Sequence, residues 1–320
     1  MNYELMVLRH GKSDWSSNET DFNRPITDRG KRGAQRMGVW LAQQGLKPDM
    51  VISSPAERAK VTAQKMMKAM DETDQYIIYD KRVYDASLND LLEVLAGISD
   101  ETKRVVLVGH NPGLELLLTY LCKEKVAIPA DGKLLATATL AHLNLSFPWR
   151  KIEKNCAKLV EIKRPKSLPK KFPYPAFDGQ EQHIRPAYYY TQSSVIPYRY
   201  NKGKLEILLI SSSKNKHYVI PKGIKDPGLS LRESAAKEAL EEAGVKGIVA
   251  EQPIGFYTYE KWQATCTVTV YPMEVTSIID KQHWQEKHRG REWFKPDVAS
   301  EKLFQQALKP MVLDLNGYKK

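Results

Sequence analysis

The stretch LMVLRHGKSDW (residues 5–15) places an arginine, a histidine and a glycine directly after a short apolar run. The run Leu5–Leu8 predicts a buried strand, and Gly11 lets backbone approach a ligand closely. In an open α/β sheet, ligands bind beyond the carboxyl ends of the strands. We therefore expect Arg9 and His10 to stand at a ligand-binding edge.

Three further strand-like runs follow in the first half of the chain: DMVISS (49–54), RVVLVGH (104–110) and TLAHLNLS (139–146). Between them lie AQRMGVWLAQQG and AERAKVTAQKMMKAM, whose apolar residues recur at helical spacing. This alternation predicts an α/β domain with a largely parallel sheet flanked by helices.

The strand at 49–54 runs into SSPAERA, with Arg58 at the opening of a helix, and the strand at 104–110 ends at GHNPG, with His110. Guanidinium groups match the geometry of phosphate oxygens, and a neutral imidazole can act as a nucleophile. Nearby positive charge disfavours the imidazolium form. A phosphate-handling edge built from Arg9, His10, Arg58 and His110 follows as a hypothesis.

The motifs LRHGKSDW, SSPAERA and VGHNPG, in this order, resemble the histidine phosphatase superfamily, and SixA-type phosphohistidine phosphatases in particular. The resemblance implies that His10 becomes phosphorylated and that Arg9, Arg58 and His110 bind the phosphoryl group and act in catalysis, with no cofactor. Gly11 leaves room for the substrate. RPITDRG adds Arg24 to the substrate-binding residues, although a surface arginine is the simpler interpretation.

The sequence departs from many members of this superfamily in the general acid. Asn111 follows His110 where some members carry an aspartate, and the segment between Arg58 and His110 is short. Asp85 is a candidate acid that we do not favour. Because an imidazole leaving group needs less protonation than an alkoxide, this departure favours a phosphoramidate substrate.

The second half predicts an α+β domain. Two β-rich runs flank Asn201-Lys202-Gly203, a hairpin signal. The helix RESAAKEALEEAG, the strand TCTVTVYPMEVTS and a terminal helix over 298–315 follow. Five prolines fall between Arg164 and Pro186, which predicts a semi-rigid spacer. We therefore expect domains at 1–168 and 186–320 with a linker at 169–185.

Glu238, Glu241 and Glu242 share one face of the predicted helix, where like charges repel. Mg²⁺ prefers carboxylate oxygens and shares its coordination shell with phosphates. A solvated acidic face is the alternative.

The stretch from Gly223 to Val245 resembles the Nudix box, and REWF (291–294) also looks Nudix-like. The resemblance implies hydrolysis of a diphosphate linkage, with Mg²⁺ or Mn²⁺ held by the three glutamates and the Gly223 carbonyl, and with Glu241 and Glu242 acting in catalysis. Leu229 and Lys237 stand where the Nudix box has glutamate and arginine. Glu233 lies close by but off register.

Composition sets the cellular context. The net charge of +11 indicates an anionic partner, and both halves contribute to it. Three widely spaced cysteines, and an apolar N-terminal run too short for a signal peptide or membrane span, predict a cytoplasmic protein without membrane partners. Charge alone is weak support for nucleic-acid binding, since Tyr188-Tyr189-Tyr190 fits a packed strand edge or linker contact better than a base-stacking surface.

Two function classes fit. The first is a bifunctional phosphohydrolase acting on a polyphosphorylated small molecule, such as a nucleotide. The second is a phosphatase for a phosphohistidine protein, regulated by a Nudix domain that binds nucleotide without turnover.

Overall fold

The computed structural model describes residues 3–213 and 215–315. The chain divides into two compact units, one ending at Gln182 and the other beginning at His183. This division falls inside the segment 169–185 for which the prolines predict a linker. Each unit has its own hydrophobic cores.

A six-stranded sheet with four helices forms the first unit. Its strands are β1 (Tyr3–Arg9), β2 (Met50–Ser53), β3 (Ile77–Tyr79), β4 (Arg104–Gly109), β5 (Leu140–Leu145) and β6 (Ala157–Lys163). Its helices are α1 (Asp28–Gln43), α2 (Glu57–Ala69), α3 (Leu88–Ala96) and α4 (Gly113–Leu121). The order is β3-β2-β4-β1-β5-β6, with β5 antiparallel to both of its neighbours and the other strands parallel to one another. The predicted α/β class is confirmed.

Strand β1 lies inside the sheet, between β4 and β5, and its side chains are buried on both faces. Leu5 and Val7 enter one core, and Met6 and Leu8 enter the other. All four side chains are fully buried, each contributing about 1.5–3 kcal/mol relative to exposure. This burial fixes where β1 ends, and therefore where Arg9 and His10 emerge.

Residues 169–182 pack onto α1 instead of forming an extended spacer. A two-stranded hairpin, β7 (Phe172–Tyr174) and β8 (Glu181–His183), buries the side chain of Phe172. Gln43 on α1 donates a hydrogen bond to the carbonyl of Phe177 at 2.9 Å. The prolines exclude a helix, as expected, but the segment packs against α1 of the first unit.

The second unit is a mixed sheet with three helices. Its strands are β9 (Thr191–Asn201), β10 (Lys204–Ser211), β11 (Tyr218–Val219), β12 (Lys222–Ile224), β13 (Val245–Val249), β14 (Gly255–Lys261), β15 (Ala264–Ile278) and β16 (Arg291–Phe294). Its helices are α5 (Leu231–Ala243), α6 (Pro296–Lys302) and α7 (Leu308–Asp314). The α+β class is confirmed, and Lys202 and Gly203 form the predicted hairpin turn, both with positive φ.

Helix α5 begins at a capping box. The hydroxyl of Ser230 accepts from the Glu233 amide, and the Glu233 carboxylate accepts from the Ser230 amide, an arrangement that stabilises a helix by about 1 kcal/mol. Gly244 ends the helix with a φ of 62°. Glu233 therefore has a structural role.

The predicted terminal helix over 298–315 is two shorter helices, α6 and α7. Leu303 forms a β-bridge with Tyr218 and is buried, and this pairing interrupts the helical hydrogen bonding. Two of the three consecutive tyrosines make packing contacts, as the sequence favoured over base stacking: Tyr190 is buried, and Tyr189 packs edge-on against Trp262 with centroids 5.1 Å apart.

Candidate functional site

His10 stands at the carboxyl end of β1, with 8% of its surface exposed. Its backbone N–H donates to the carbonyl of Gly109 at 3.0 Å, which joins the ends of β1 and β4. Its Nδ1 lies 2.7 Å from the Gly11 carbonyl oxygen. Because a carbonyl can only accept, this contact assigns the proton to Nδ1 and leaves the lone pair on Nε2.

Arg58 faces that lone pair. It lies in the first turn of α2, 7% exposed, with its Nε 3.4 Å from Nε2 of His10. Thr62, one turn later, accepts from the Gly11 amide at 2.8 Å and donates to the Arg58 carbonyl at 2.6 Å. Helix α2 thus positions the arginine and the glycine loop together.

His110 completes the group from the end of β4. Its ring centroid lies 5.0 Å from that of His10. Its Nε2 lies 2.8 Å from Oγ of Ser54, and its buried Nδ1 has no hydrogen-bond partner among the described residues. If the serine hydroxyl donates to Nε2, Nδ1 carries the proton and can donate a hydrogen bond to a bound phosphoryl oxygen.

Arg9 has one end of its guanidinium fixed. Its NH1 donates to the Leu135 carbonyl at 2.7 Å, while its Nε is buried without a partner in the part of the chain that the structure describes. Asn111 donates to the same carbonyl at 3.1 Å. Asn111 therefore anchors the backbone at Leu135, and its amide cannot act as a general acid.

The sequence did not predict the role of Asp21. Its carboxylate pairs with both Arg24 and Arg58, at 2.8 Å in the second case, and accepts from the Tyr84 hydroxyl at 2.9 Å. Arg24 is buried, with its guanidinium stacked 3.5 Å from the centre of the Trp15 ring, so the simpler expectation of a surface arginine does not hold. Within the described residues, Asp85 forms no hydrogen bond or ion pair with this group.

Burial and positive charge keep both histidines neutral. Burial is the main cause that lowers the pKa of His10 to about 4, and Arg58, Arg9 and Arg24 lower it further. Burial, followed by His10 and the same two nearest arginines, lowers the pKa of His110 to about 3. At neutral pH His10 is therefore unprotonated at Nε2.

Gly11 is required by close packing. A Cβ at this position would lie 2.8 Å from the Gly30 carbonyl oxygen and 2.6 Å from Cδ1 of Ile26. The absence of a side chain at Gly11 lets the segment after β1 pack against the first turn of α1.

The second candidate site lies on α5 of the second unit. A Cβ on Gly223 would overlap the carboxylate of Glu238, 1.7 Å from its Oε1, so this glycine admits the glutamate. Burial, and the charges of Glu242 and Glu241, raise the pKa of Glu238 to about 8. Burial also raises the pKa of Glu242.

The other two glutamates lie against cations of the chain. Arg289 donates to Glu242 at 2.7 Å, and Lys237 lies 3.9 Å from Glu241. Among the described residues, no three His, Cys, Asp or Glu side chains converge in a metal-binding arrangement. The donor set nevertheless fits a hard divalent cation, because burial raises the pKa of Glu238 and Glu242 and a cation would stabilise their ionised form.

Asp226 and Lys222 belong to this site and were not predicted from sequence. Asp226, three residues before Leu229, pairs with Lys237. Lys222 is largely buried, its Nζ 3.3 Å from the Tyr259 hydroxyl, and its backbone N–H donates to Glu242 at 3.0 Å. Burial lowers the pKa of Lys222.

Family models match both units. Residues 5–91 match the histidine phosphatase superfamily (branch 1), a range that includes Arg9, His10, Gly11, Arg24 and Arg58. Residues 190–315 match the NUDIX domain, including Gly223 and the three glutamates.

The chain joins a histidine phosphatase domain to a Nudix domain.

Curated relatives match one domain each. An uncharacterized protein of Mycobacterium tuberculosis is 28% identical over 163 residues, 50% of this chain and 100% of the relative. Nudix hydrolase 12, mitochondrial, of Arabidopsis thaliana is 33% identical over 131 residues, 34% of this chain. This match spans 64% of the plant protein, less than two-thirds of its length.

Similar solved structures also cover single domains. The protein histidine phosphatase SixA complexed with tungstate is 19% identical, with a TM-score of 0.44, and the match covers 51% of this chain and 97% of that one. The Ap4A hydrolase of C. elegans is 21% identical, with a TM-score of 0.34, and the match covers 40% of this chain and 96% of that one.

The structure brings together most of the side chains that the sequence singled out. His10, Arg58 and His110 adjoin one another, and Arg24 joins them through Asp21. Ser54, Asp21 and Tyr84 were missed; Ser54 lies within the quoted motif SSPAERA, where it could have been noticed. None of the described helices is long and apolar enough to cross a bilayer.

Proposed function

We propose that the protein is a bifunctional cytoplasmic phosphohydrolase with one reaction in each domain. The observation that carries the first reaction is the neutral His10, whose Nε2 lone pair faces the Arg58 guanidinium at 3.4 Å. The three cysteines are free and buried, which fits a reducing compartment.

In the phosphatase domain, Nε2 of His10 attacks phosphorus, and the bond from phosphorus to the leaving group breaks. The bond between Nδ1–H and the Gly11 carbonyl stabilises the positive charge that the ring acquires. Arg9, Arg58 and His110 bind the phosphoryl oxygens, whose charge they stabilise in the transition state. Water then attacks phosphorus, inorganic phosphate leaves, and His10 returns to its neutral form.

The substrate class follows from the missing acid. Asn111 is engaged by Leu135, and Asp21 is held by two arginines, so neither carries a proton suited to an alkoxide leaving group. A P–N bond needs less help because imidazole is a better leaving group. We propose a phosphoramidate, such as the phosphohistidine of a protein, as the preferred substrate, with phosphomonoesters cleaved more slowly.

In the Nudix domain, Glu238, Glu241 and Glu242, with the Gly223 carbonyl, would hold Mg²⁺ or Mn²⁺. Such a cation polarises a phosphoryl group and lowers the pKa of water. Glu242 would exchange its pairing with Arg289, which frees that guanidinium for a substrate phosphate. Lys222 adds a second cation beside the same glutamate and orients a diphosphate.

A second candidate function is supported by Glu242. Its carboxylate is satisfied by Arg289 and by the Lys222 amide at 3.0 Å, so it is stable without metal. A Nudix domain in this state would bind nucleotide without hydrolysis and regulate a phosphohistidine protein phosphatase.

Trapping of the phosphoenzyme tests the first reaction. The full chain is incubated with ³²P-labelled phosphohistidine protein and quenched in alkali, which preserves a phosphorus–nitrogen bond. We expect an acid-labile label on the chain that His10→Ala abolishes. Retention of the label in His10→Ala would contradict the proposal, and His283→Ala serves as a matched control.

A further inference from the structure

A cavity of about 460 Å³ lies in the first unit, apart from the His10 group. One wall is the face of α1 that carries Arg29, Arg32 and Arg36. Arg164, Lys166 and Lys170 also line the cavity. Lys12 stands at its edge, and neither His10, Arg58 nor His110 lines it.

Positive charge in this cavity is largely uncompensated. Asp131 is the one acidic side chain among the described lining residues, and Arg164 engages both of its oxygens, at 2.7 and 3.1 Å. Within the described chain, Arg29, Arg32 and Arg36 form no ion pair. Like charges one turn apart on a helix destabilise it, so this face gains nothing for folding alone.

Buried polar atoms in the lining also lack partners. Thr139 is fully buried, and its Oγ1 has no hydrogen-bond partner in the described part of the chain. The same holds for Nε of Arg36, whose NH2 reaches only the Lys170 carbonyl at 3.3 Å. Burial, followed by Arg32, lowers the pKa of Arg36.

We propose that this cavity binds a small molecule that carries several phosphate groups. The volume suits a small ligand, and the lining has arginines to pair with phosphate oxygens. No aromatic side chain is among the lining residues that the structure describes, so stacking on a base makes no contribution. The ligand is recognised by its phosphates.

The cavity shares a wall with the catalytic loop. The Ala138 amide donates to the carbonyls of Arg9 and His10, each at 3.1 Å, and residues 136–139 line the cavity. A bound polyphosphate thus contacts the segment that holds the nucleophile. It is either the distal part of the phosphatase substrate or a separate effector.

Calorimetric titration of the full chain with tripolyphosphate in EDTA tests the binding. The Arg58→Ala background removes competition from the catalytic site. We expect Arg32→Gln/Arg36→Gln to weaken the affinity at least about tenfold. Arg82→Gln/Arg150→Gln removes the same charge from exposed positions outside the cavity and is expected to change it less than about twofold.

Equal affinity in the Arg32/Arg36 variant and its parent, or no binding to the parent, overturns the proposal. Thermal melts show whether each variant folds. Arg29→Gln/Lys170→Gln, at exposed positions of the same cavity, gives a second test if the first variant unfolds. This binding arm does not depend on phosphatase activity, so it can fail independently of the proposed function.

Kinetics distinguish the two sources of the ligand. If tripolyphosphate raises KM alone in wild type, and Arg32→Gln/Arg36→Gln removes this effect, the cavity holds the distal part of the substrate. If it changes kcat and the same variant removes that change, the ligand is a separate effector. Inhibition that persists in the variant means that tripolyphosphate acts at the catalytic site, which overturns the proposal.

Discussion

Nε of Arg58 lies 3.4 Å from Nε2 of His10, while Nδ1 of the same ring lies 2.7 Å from the Gly11 carbonyl oxygen. One side of the imidazole thus holds the proton, and the other presents a lone pair to a guanidinium. A bound phosphoryl group would therefore contact both the proposed nucleophile, His10, and the guanidinium of Arg58. The fold creates this relationship by joining the end of β1 to the first turn of α2.

Replacement of Arg58 by lysine tests the role of its guanidinium. Lysine keeps the charge but loses the planar fork, so stabilisation of the transition state should fall. We expect kcat/KM for phosphate release to drop by about 10²–10³, as for loss of one oxyanion donor. Arg82→Lys, on the surface of the same domain, should leave the rate unchanged. A less than threefold effect of Arg58→Lys would remove Arg58 from the mechanism.

The low pKa of His10 predicts activity at acid pH. The free nucleophile stays neutral until the pH approaches about 4, so the acid limb of kcat/KM should lie well below the ordinary histidine value of 6.5. Initial rates between pH 4 and 8 provide the measurement. An acid limb near 6.5 would show that His10 is not desolvated as described.

The same shift affects stability, with a definite sign. His10 has a lower pKa when folded than the 6.5 of an exposed histidine, so the unfolded chain binds more protons between pH 6.5 and about 4. The domain therefore loses stability as the pH falls through this range, by up to about 3 kcal/mol from His10. Chemical unfolding of wild type and His10→Ala should show the steeper pH dependence in wild type.

Asp21 should compete with phosphate for Arg24 and Arg58. Its half-exposed carboxylate pairs with Arg24 and Arg58. Asp21→Asn should therefore tighten the binding of inorganic phosphate about two- to fivefold, the range expected for removal of a partly exposed ion pair. Competitive inhibition of the phosphatase by phosphate measures it, with Asp28→Asn as control. Weaker phosphate binding in Asp21→Asn would mean that Asp21 organises the arginines and does not compete for them.

Divalent cations should stabilise the Nudix domain through Glu238. Its partly buried carboxyl lies close to Glu242 and Glu241, and a cation would stabilise its ionised form. At 100 times Kd, Mg²⁺ or Mn²⁺ should add about 2.7 kcal/mol to the unfolding free energy of this domain. Thermal or chemical melts provide the measurement.

Glu238→Gln should abolish this stabilisation and raise the stability of the metal-free domain near neutral pH, because it removes a carboxyl that ionises readily in the unfolded chain but not in the folded one. Glu251→Gln, an exposed glutamate of the same unit, should respond to the cation as wild type does. Equal stabilisation of Glu238→Gln and wild type would place the metal elsewhere.

The sequence predicted what local pattern determines. Apolar runs, helical spacing and the ends of strands located β1, β4, α2 and α5, and hence His10, His110, Arg58 and the three glutamates. The Lys202-Gly203 turn was also predictable, because its backbone conformation favours glycine. These features depend on neighbouring residues in the chain.

Contacts between distant residues could not be predicted. Asp21 reaches Arg58 across 37 positions, and Ser54 reaches His110 across 56, through loops whose paths have no periodic signal. The break between α6 and α7 depends on the pairing of Leu303 with Tyr218 in a distant strand. The prolines in residues 169–182 predict a spacer, and no pattern in the sequence indicates that this segment contacts α1.

The most direct test of two separate reactions is phosphorus NMR of products from the full chain with Mg²⁺. Wild type, His10→Ala, Glu241→Gln/Glu242→Gln and the combined variant would each receive a nucleoside triphosphate, a dinucleoside polyphosphate, a diphosphoinositol phosphate and a phosphoramidate. We predict that the glutamate variant loses diphosphate cleavage alone and that His10→Ala loses phosphoramidate cleavage alone. Diphosphate cleavage that survives in the glutamate variant, or phosphoramidate cleavage that survives in His10→Ala, would contradict the account.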